Sequence, residues 1–360
     1  MNLLIRVLLI YNFVICWAFG LAADECLPRK NVIRAVHLIA PKLRDFELFN
    51  RALTNFFVPA GVNMLILEID YRYEWKSHPE LRDSDCLSRQ EARKLYEICS
   101  LKGIKLVPLF NCLGHQSWGK VTFPLLKRYP DFDETPWISG ENSGIYCRSW
   151  CASNPALIPI VKDLLSELVV DFSADTVHVG MDEVFLIGES NCVRCAGKDK
   201  AELFARAVCS LHKILVNDLG VRMMMWGDRL LDDSKFKYGE WESSRNNTAG
   251  AIEKIPKDII ICDWHYGKRD EYASVEYFLE KGFSVLSASW KNLDAAQAFV
   301  NYCDKFSTNC NYLGHICTTW VDSGMLSDTL INRSTTSGDI SEVAKTTEKI
   351  LKQLVEKARY

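Results

Sequence analysis

A single (β/α)8 barrel is the fold that this sequence predicts. Eight short aliphatic or β-branched runs recur between residues 33 and 318, and a helix-like stretch follows each of them. The length agrees, because roughly 330 residues beyond the N-terminal leader suit one barrel of about 250 residues with insertions. An open doubly wound sheet would share the alternation, but no GxGxxG turn follows the first run to make a dinucleotide site.

The first run is Ile33 to Ala40, after which Phe46, Phe49, Leu53 and Phe56 recur at helical spacing. Gly61 precedes the second run, Val62 to Ile69. Ser88-Arg89-Gln90-Glu91 then reads as a capping box opening a helix that Gly103 closes, and Ile104 to Phe110 is the third run. Asn154-Pro155 predicts an N-cap with proline at the first helical position, and Leu157, Ile160, Val161, Leu164, Leu165 and Leu168 form the apolar stripe behind it. Thr176 to Val179 is the fourth run; a long helix through Leu203, Phe204, Val208, Leu211 and Leu215 ends near Gly220 and leads to the fifth, Val221 to Trp226. Ile259 to Trp264, Phe283 to Ala288 and Tyr312 to Thr318 complete the set, and a helix around Val343 to Val355 closes the chain.

With 48% hydrophobic and 25% charged residues the chain has ordinary globular composition, and its net charge of −3 offers no electrostatic footprint for nucleic acid or an anionic membrane. Residues 1–22 read as a cleaved signal peptide, with Arg6, the apolar run Val7 to Phe19, and then Gly20-Leu21-Ala22-Ala23. That run is short of the ~20 residues a bilayer span needs, and no later segment could span. The expectation is a secreted or lysosomal protein whose single domain occupies residues 31–360, with glycosylation acceptors at Asn246 and Asn332. Of fourteen cysteines, Cys16 leaves with the leader, and the others suit an oxidising compartment in which some pair. Cys192 and Cys195 have the spacing of a zinc half-site, but no second Cys or His pair accompanies them, so a disulfide or two separate bridges is expected and no metal or other cofactor. The residues leave the oligomeric state open, a homodimer included.

In a barrel of this kind the chemistry sits where the strands end. The fourth run ends in His178-Val179-Gly180-Met181-Asp182-Glu183, two carboxylates immediately after a buried strand. Adjacent strand residues face opposite ways, so both carboxylates reach the mouth only if the chain is already leaving the strand, a bend that Gly180 makes easy. Asp-Glu pairs occur elsewhere in the chain, and position lifts this one above them.

His178 to Glu183 resembles the fourth-strand His-x-Gly-x-Asp-Glu of glycoside hydrolase family 20, the β-N-acetylhexosaminidases. Its continuation through Glu189 is similar to the hexosaminidase D-like branch. Asn63 to Glu68, His78-Pro79, Gly114-His115, Trp226-Gly227-Asp228, Trp264-His265-Tyr266 and Trp320 resemble the family's other strand ends, in order, from about residue 32 to 325. The resemblance implies Glu183 as general acid/base, Asp182 as the group steering the substrate's acetamido nitrogen, and Tyr266 as donor to the attacking acetamido oxygen. It implies a substrate-assisted route through an oxazolinium intermediate. It further implies that Trp226, Trp264 and Trp320 wall the sugar site, with Trp290 at the end of the seventh strand a further candidate, that Asp228 at the end of the fifth binds substrate, and that His115 and His178 belong to the network around the acid. For Glu68 the residues leave two readings open, a buried ion pair or a sugar-hydroxyl acceptor.

The expected partners are glycans ending in N-acetylhexosamine, GlcNAc or GalNAc. One departure bears on that choice. Where the family ends its first strand with Leu-Asp and a nearby arginine, this chain has Leu38-Ile39-Ala40-Pro41-Lys42. A sugar-binding barrel without activity, and a two-carboxylate glycosidase pairing Glu183 with Glu68, are the alternatives.

Overall fold

The computed structural model describes residues 32–334 and 338–358; the leader and its cleavage region lie outside them. Aliphatic runs without alternation suit strands buried on both faces, as a parallel barrel requires. The structure realises all eight: β1 (Ile33–Ile39), β2 (Met64–Glu68), β3 (Lys105–Cys112), β6 (Thr176–Gly180), β7 (Arg222–Trp226), β8 (Ile260–Trp264), β9 (Ser284–Ser289) and β10 (Tyr312–Cys317). They form a closed barrel in the order β1-β10-β9-β8-β7-β6-β3-β2. The two short strands missing from that order, β4 (Ser117–Trp118) and β5 (Val121–Thr122), make an antiparallel ribbon after β3 that carries no strand signal in the sequence.

Two apolar layers hold the barrel. Inside it, side chains such as Ile66, Val107, Met224, Ile260, Leu286 and Ile316 meet in one cluster. Outside it, the opposite faces of the strands pack against the helices in a second, larger cluster. Closure depends on Gly314, whose φ is +139° and whose missing Cβ would lie 2.1 Å from the carbonyl oxygen of Ile33. Any side chain there would push β10 off β1.

The predicted helix signals hold at Ser88, whose hydroxyl accepts the Gln90 amide while Glu91 accepts the Ser88 amide at 3.0 Å, opening the helix Arg89–Leu101. They shift at Asn154. Its carboxamide oxygen accepts the Ala156 amide, but the helix begins only at Leu157, so Pro155 lies in the turn before it. The stripe behind it is buried at Leu157, Val161, Leu164, Leu165 and Leu168, while Ile160, at its edge, is half-buried. No helix among the described residues is long and apolar enough to cross a membrane.

Candidate active site

The chain leaves β6 through a strained path. Gly180, Met181 and Glu183 take φ values of +66°, +76° and +48°. A Cβ on Gly180 would fall 2.4 Å from the Asn111 carboxamide oxygen of β3, so no larger residue fits. This departure breaks the strand alternation and turns Asp182 and Glu183 to one cavity. Asp70, Leu113, His115 and Trp320, just beyond β2, β3 and β10, also take positive φ. Backbone strain of that kind collects where a fold holds a functional arrangement.

The cavity at the barrel mouth has a volume of about 510 Å³. Six of the residues singled out in the sequence line it: His115, Asp182, Glu183, Trp264, Tyr266 and Trp320. Trp290, left uncertain there, lines it too, and its indole N–H is held by the Thr319 carbonyl at 2.9 Å.

His115 organises the two carboxylates. Its Nε2 lies 3.2 Å from Asp182 Oδ2 and 3.2 Å from Glu183 Oε2, between the two rather than aligned on either. Burial alone would lower the His115 pKa, but the adjoining carboxylates raise it well above the ordinary imidazole value. Burial would likewise raise Asp182, yet the His115 charge more than reverses this and holds Asp182 below the usual carboxylate range. The outcome is an imidazolium facing an ionised Asp182. The other oxygen of that carboxylate, Oδ1, is buried with no hydrogen-bond partner. Across the cavity the Tyr266 hydroxyl oxygen accepts the Trp320 indole N–H at 2.7 Å, and the Tyr266 ring lies 4.8 Å from Trp264.

Four predicted binding residues stand behind the lining instead. Trp226 is 1% exposed, belongs to the inner barrel layer, and packs on His178 at 4.6 Å and on Trp320 at 5.8 Å. It supports the wall; it is not the wall. His178 is fully buried, its Nδ1 accepts the Gly180 amide, and burial lowers its pKa to about 3, so it is neutral and shapes the strained turn. Asp228 accepts the Glu183 amide at 2.9 Å and the Trp264 indole at 3.3 Å. Burial raises its pKa to about 6 despite the Arg229 guanidinium 2.7 Å away. The Glu68 carboxylate lies 3.1 Å from His37 Nε2, within hydrogen-bond distance, and His37 in turn sits 4.3 Å from the Trp320 ring.

Sequence reasoning missed Trp118, Tyr146, Trp241, Glu242 and Asp339, all of which line the cavity. Tyr146 packs edge-on to Trp241 at 4.8 Å and to Trp118 at 5.5 Å, and burial together with the Glu183 carboxylate pushes its phenol pKa up. Glu242 accepts the Tyr266 amide at 3.0 Å and holds His265 Nδ1 at 2.6 Å. Arg229 donates to the Glu240, Trp241 and Ser243 carbonyls, which brings that segment over the barrel. Tyr146 lies in a loop, Trp118 in the two-residue β4, Trp241 and Glu242 in the one-turn helix Gly239–Glu242, and Asp339 at the start of the helix Asp339–Lys357, places too short or too marginal to show a period.

Two further expectations change. The Asn246 carboxamide nitrogen is bound to the Val184 and Phe185 carbonyls at 2.8 and 3.1 Å, and Thr248 of the same sequon is fully buried, so this is a structural asparagine and not a free glycan acceptor. Asn332 is exposed. Cys192 and Cys195 are not joined by a disulfide; their sulfurs lie 3.6 and 3.4 Å from Cys151 Sγ.

Residues 68–325 match the family model for the glycosyl hydrolase family 20 catalytic domain. A β-hexosaminidase of Emericella nidulans is 24% identical over 278 residues, 69% of this chain and 42% of that protein. β-Hexosaminidase 1 of Coccidioides posadasii (strain RMSCC 757 / Silveira) is 23% identical over 246 residues, 60% of this chain and 36% of that one. The chain therefore spans less than half the length of these curated relatives. Among solved structures, a chitobiase of Flavobacterium johnsoniae superposes with a TM-score of 0.60 at 18% identity, covering 90% of this chain and 52% of its own. An exo-β-N-acetylglucosaminidase of Vibrio harveyi bound to N-acetylglucosamine superposes with a TM-score of 0.57 at 15% identity, covering 90% of this chain and 58% of its own. The match to more than half of the chain, together with the paired carboxylates at the end of β6, establishes that this protein belongs to glycosyl hydrolase family 20.

Proposed function

We propose that this chain is an exo-acting, retaining β-N-acetylhexosaminidase that releases terminal GlcNAc or GalNAc from glycoconjugates by substrate-assisted catalysis. The observation that carries this reading is Asp182 Oδ1, a buried carboxylate oxygen without a partner on a residue whose ionised state His115 favours. Such an atom is costly to leave unpaired, and the N–H of a 2-acetamido group satisfies it.

The chemistry then follows from position. Asp182 accepts the acetamido N–H and turns the carbonyl oxygen toward the anomeric carbon. The Tyr266 phenol keeps its proton, because burial pushes its pKa up, and it donates to that oxygen. Glu183 protonates the glycosidic oxygen as the C–O bond breaks and the new bond from the acetamido oxygen forms. The oxazolinium so produced carries positive charge beside the Asp182 carboxylate. Water, deprotonated by Glu183, opens the ring at the anomeric carbon, and two inversions leave the β configuration in place. Trp264, Trp290 and Trp320 supply apolar surface for the sugar and the acetamido methyl.

A panel of nitrophenyl β-glycosides of GlcNAc, GalNAc, glucose and galactose tests the proposal. Turnover confined to the two acetamido sugars is expected. Efficient cleavage of the glucoside would overturn the substrate-assisted reading.

A further inference from the structure

Where the loop that follows the paired carboxylates meets the excursion after β3, three sulfurs and one carboxylate converge. Donor atoms of Glu134, Cys151, Cys192 and Cys195 all lie within 4.8 Å of one another. Cys151 Sγ is 3.6 Å from Cys192 Sγ and 3.4 Å from Cys195 Sγ. A tetrahedral zinc with Zn–S bonds of about 2.3 Å sets its sulfurs about 3.8 Å apart, whereas a disulfide closes to about 2.05 Å. The observed spacing is close to the edge of a zinc tetrahedron.

The surroundings also suit a cation. Glu134, Cys151 and Cys195 are fully buried and Cys192 is 4% exposed. Glu134 Oε1 accepts the Glu189 amide at 2.9 Å, while Oε2 is buried and has no hydrogen-bond partner. A lone buried carboxylate oxygen calls for a positive partner.

We propose that Glu134, Cys151, Cys192 and Cys195 bind one Zn²⁺ in a closed, four-coordinate structural site. Three thiolates with one carboxylate suit zinc over the hard oxygen-seeking cations, and a full coordination shell leaves no position for catalysis. Binding exchanges three S–H bonds for three Zn–S bonds, and the protons pass to solvent. Cys192-x-x-Cys195 is one half of the site; Cys151 lies 41 residues before Cys192, which is why no second motif is visible in the sequence. The site ties the excursion after β3, which carries His115 and Tyr146, to the loop that begins at Asp182 and Glu183. Zinc here would hold the two sides of the cavity in register.

The test uses the full chain purified without chelators from zinc-supplemented cells. Elemental analysis should give about one zinc per chain, and mass spectrometry after alkylation with and without a metallochromic chelator should show Cys151, Cys192 and Cys195 as reduced thiols unmasked together. Cys195→Ser and Glu134→Gln should lose zinc to the chelator at least tenfold faster, while Cys209→Ser on the helix Lys200–His212 should match the wild type. If the variants do not fold, the wild-type stoichiometry and thiol mapping still decide. Folded wild type with less than a tenth of a zinc per chain, a disulfide-linked peptide joining two of the three cysteines, or zinc fully retained by Cys195→Ser would each overturn the proposal.

Discussion

The indole N–H of Trp320 donates to the hydroxyl oxygen of Tyr266 over 2.7 Å. The bond fixes the phenol at the cavity while leaving its own proton free for a ligand carbonyl. Tyr266→Phe should therefore lower kcat for a nitrophenyl GlcNAc by about 10²- to 10³-fold, the usual effect of removing one oxyanion donor. Trp320→Phe, which keeps the ring but not the N–H, should cost less. Equal turnover by Tyr266→Phe and wild type would take the phenol out of the mechanism.

Glu183→Gln fills the same volume without a proton to give. Its kcat should fall by about 10²- to 10⁴-fold on ordinary glycosides, with the urea midpoint unchanged. Activity within twofold of wild type would remove Glu183 from the acid/base role.

Asp182→Asn replaces an acceptor-only carboxylate beside His115 with a neutral amide. It should weaken both turnover and binding of a thiazoline mimic of the cyclic intermediate, because the amide cannot offset the positive charge that develops there. Thiazoline affinity unaltered in this variant would argue against charge stabilisation by Asp182.

His265 gives a pH signature. Burial alone would lower its pKa, but the Asp263 and Glu242 carboxylates raise it to about 9. A raised folded-state value means that the stabilisation is complete below the unfolded pKa of about 6.5 and is lost as pH climbs through 9. The wild-type urea midpoint should therefore fall between pH 6.5 and 10, and His265→Gln should show a flatter profile. A parallel decline in both proteins would place the loss elsewhere.

If residues 1–22 direct the chain into the secretory pathway, as we propose, the mature protein starts near Ala23 or Asp24. Glycan should then be found on the exposed Asn332 and not on Asn246, whose amide is bound to two carbonyls. Terminal sequencing and glycopeptide mapping check both points, and an intact Met1 on a cytosolic product would defeat the first.

Much of the site was legible because it is local. Asp182 and Glu183 follow a buried run and a glycine, and the structure shows that glycine at φ +66° against Asn111. Depth was not legible. Trp226 and Trp264 both occupy strand ends and both belong to the inner layer, yet only Trp264 lines the cavity. Barrel stagger decides that difference, since Trp226 pairs with Cys262 and Trp264 lies two residues further toward the mouth, and register is not written in a residue's neighbours.

By itself the sequence determined the eight strands and the place of the paired carboxylates, since buried parallel strands must be apolar throughout and a closed barrel puts their ends at one mouth. Only the tertiary structure decided what gathers around them. Tyr146 arrives on a loop and Trp241 and Glu242 on a one-turn helix, and Glu134, Cys151, Cys192 and Cys195 meet from separate segments, so no period or spacing records their contact. Such contacts depend on the closed barrel, where burial rewards groups that find charge or hydrogen-bond partners far along the chain.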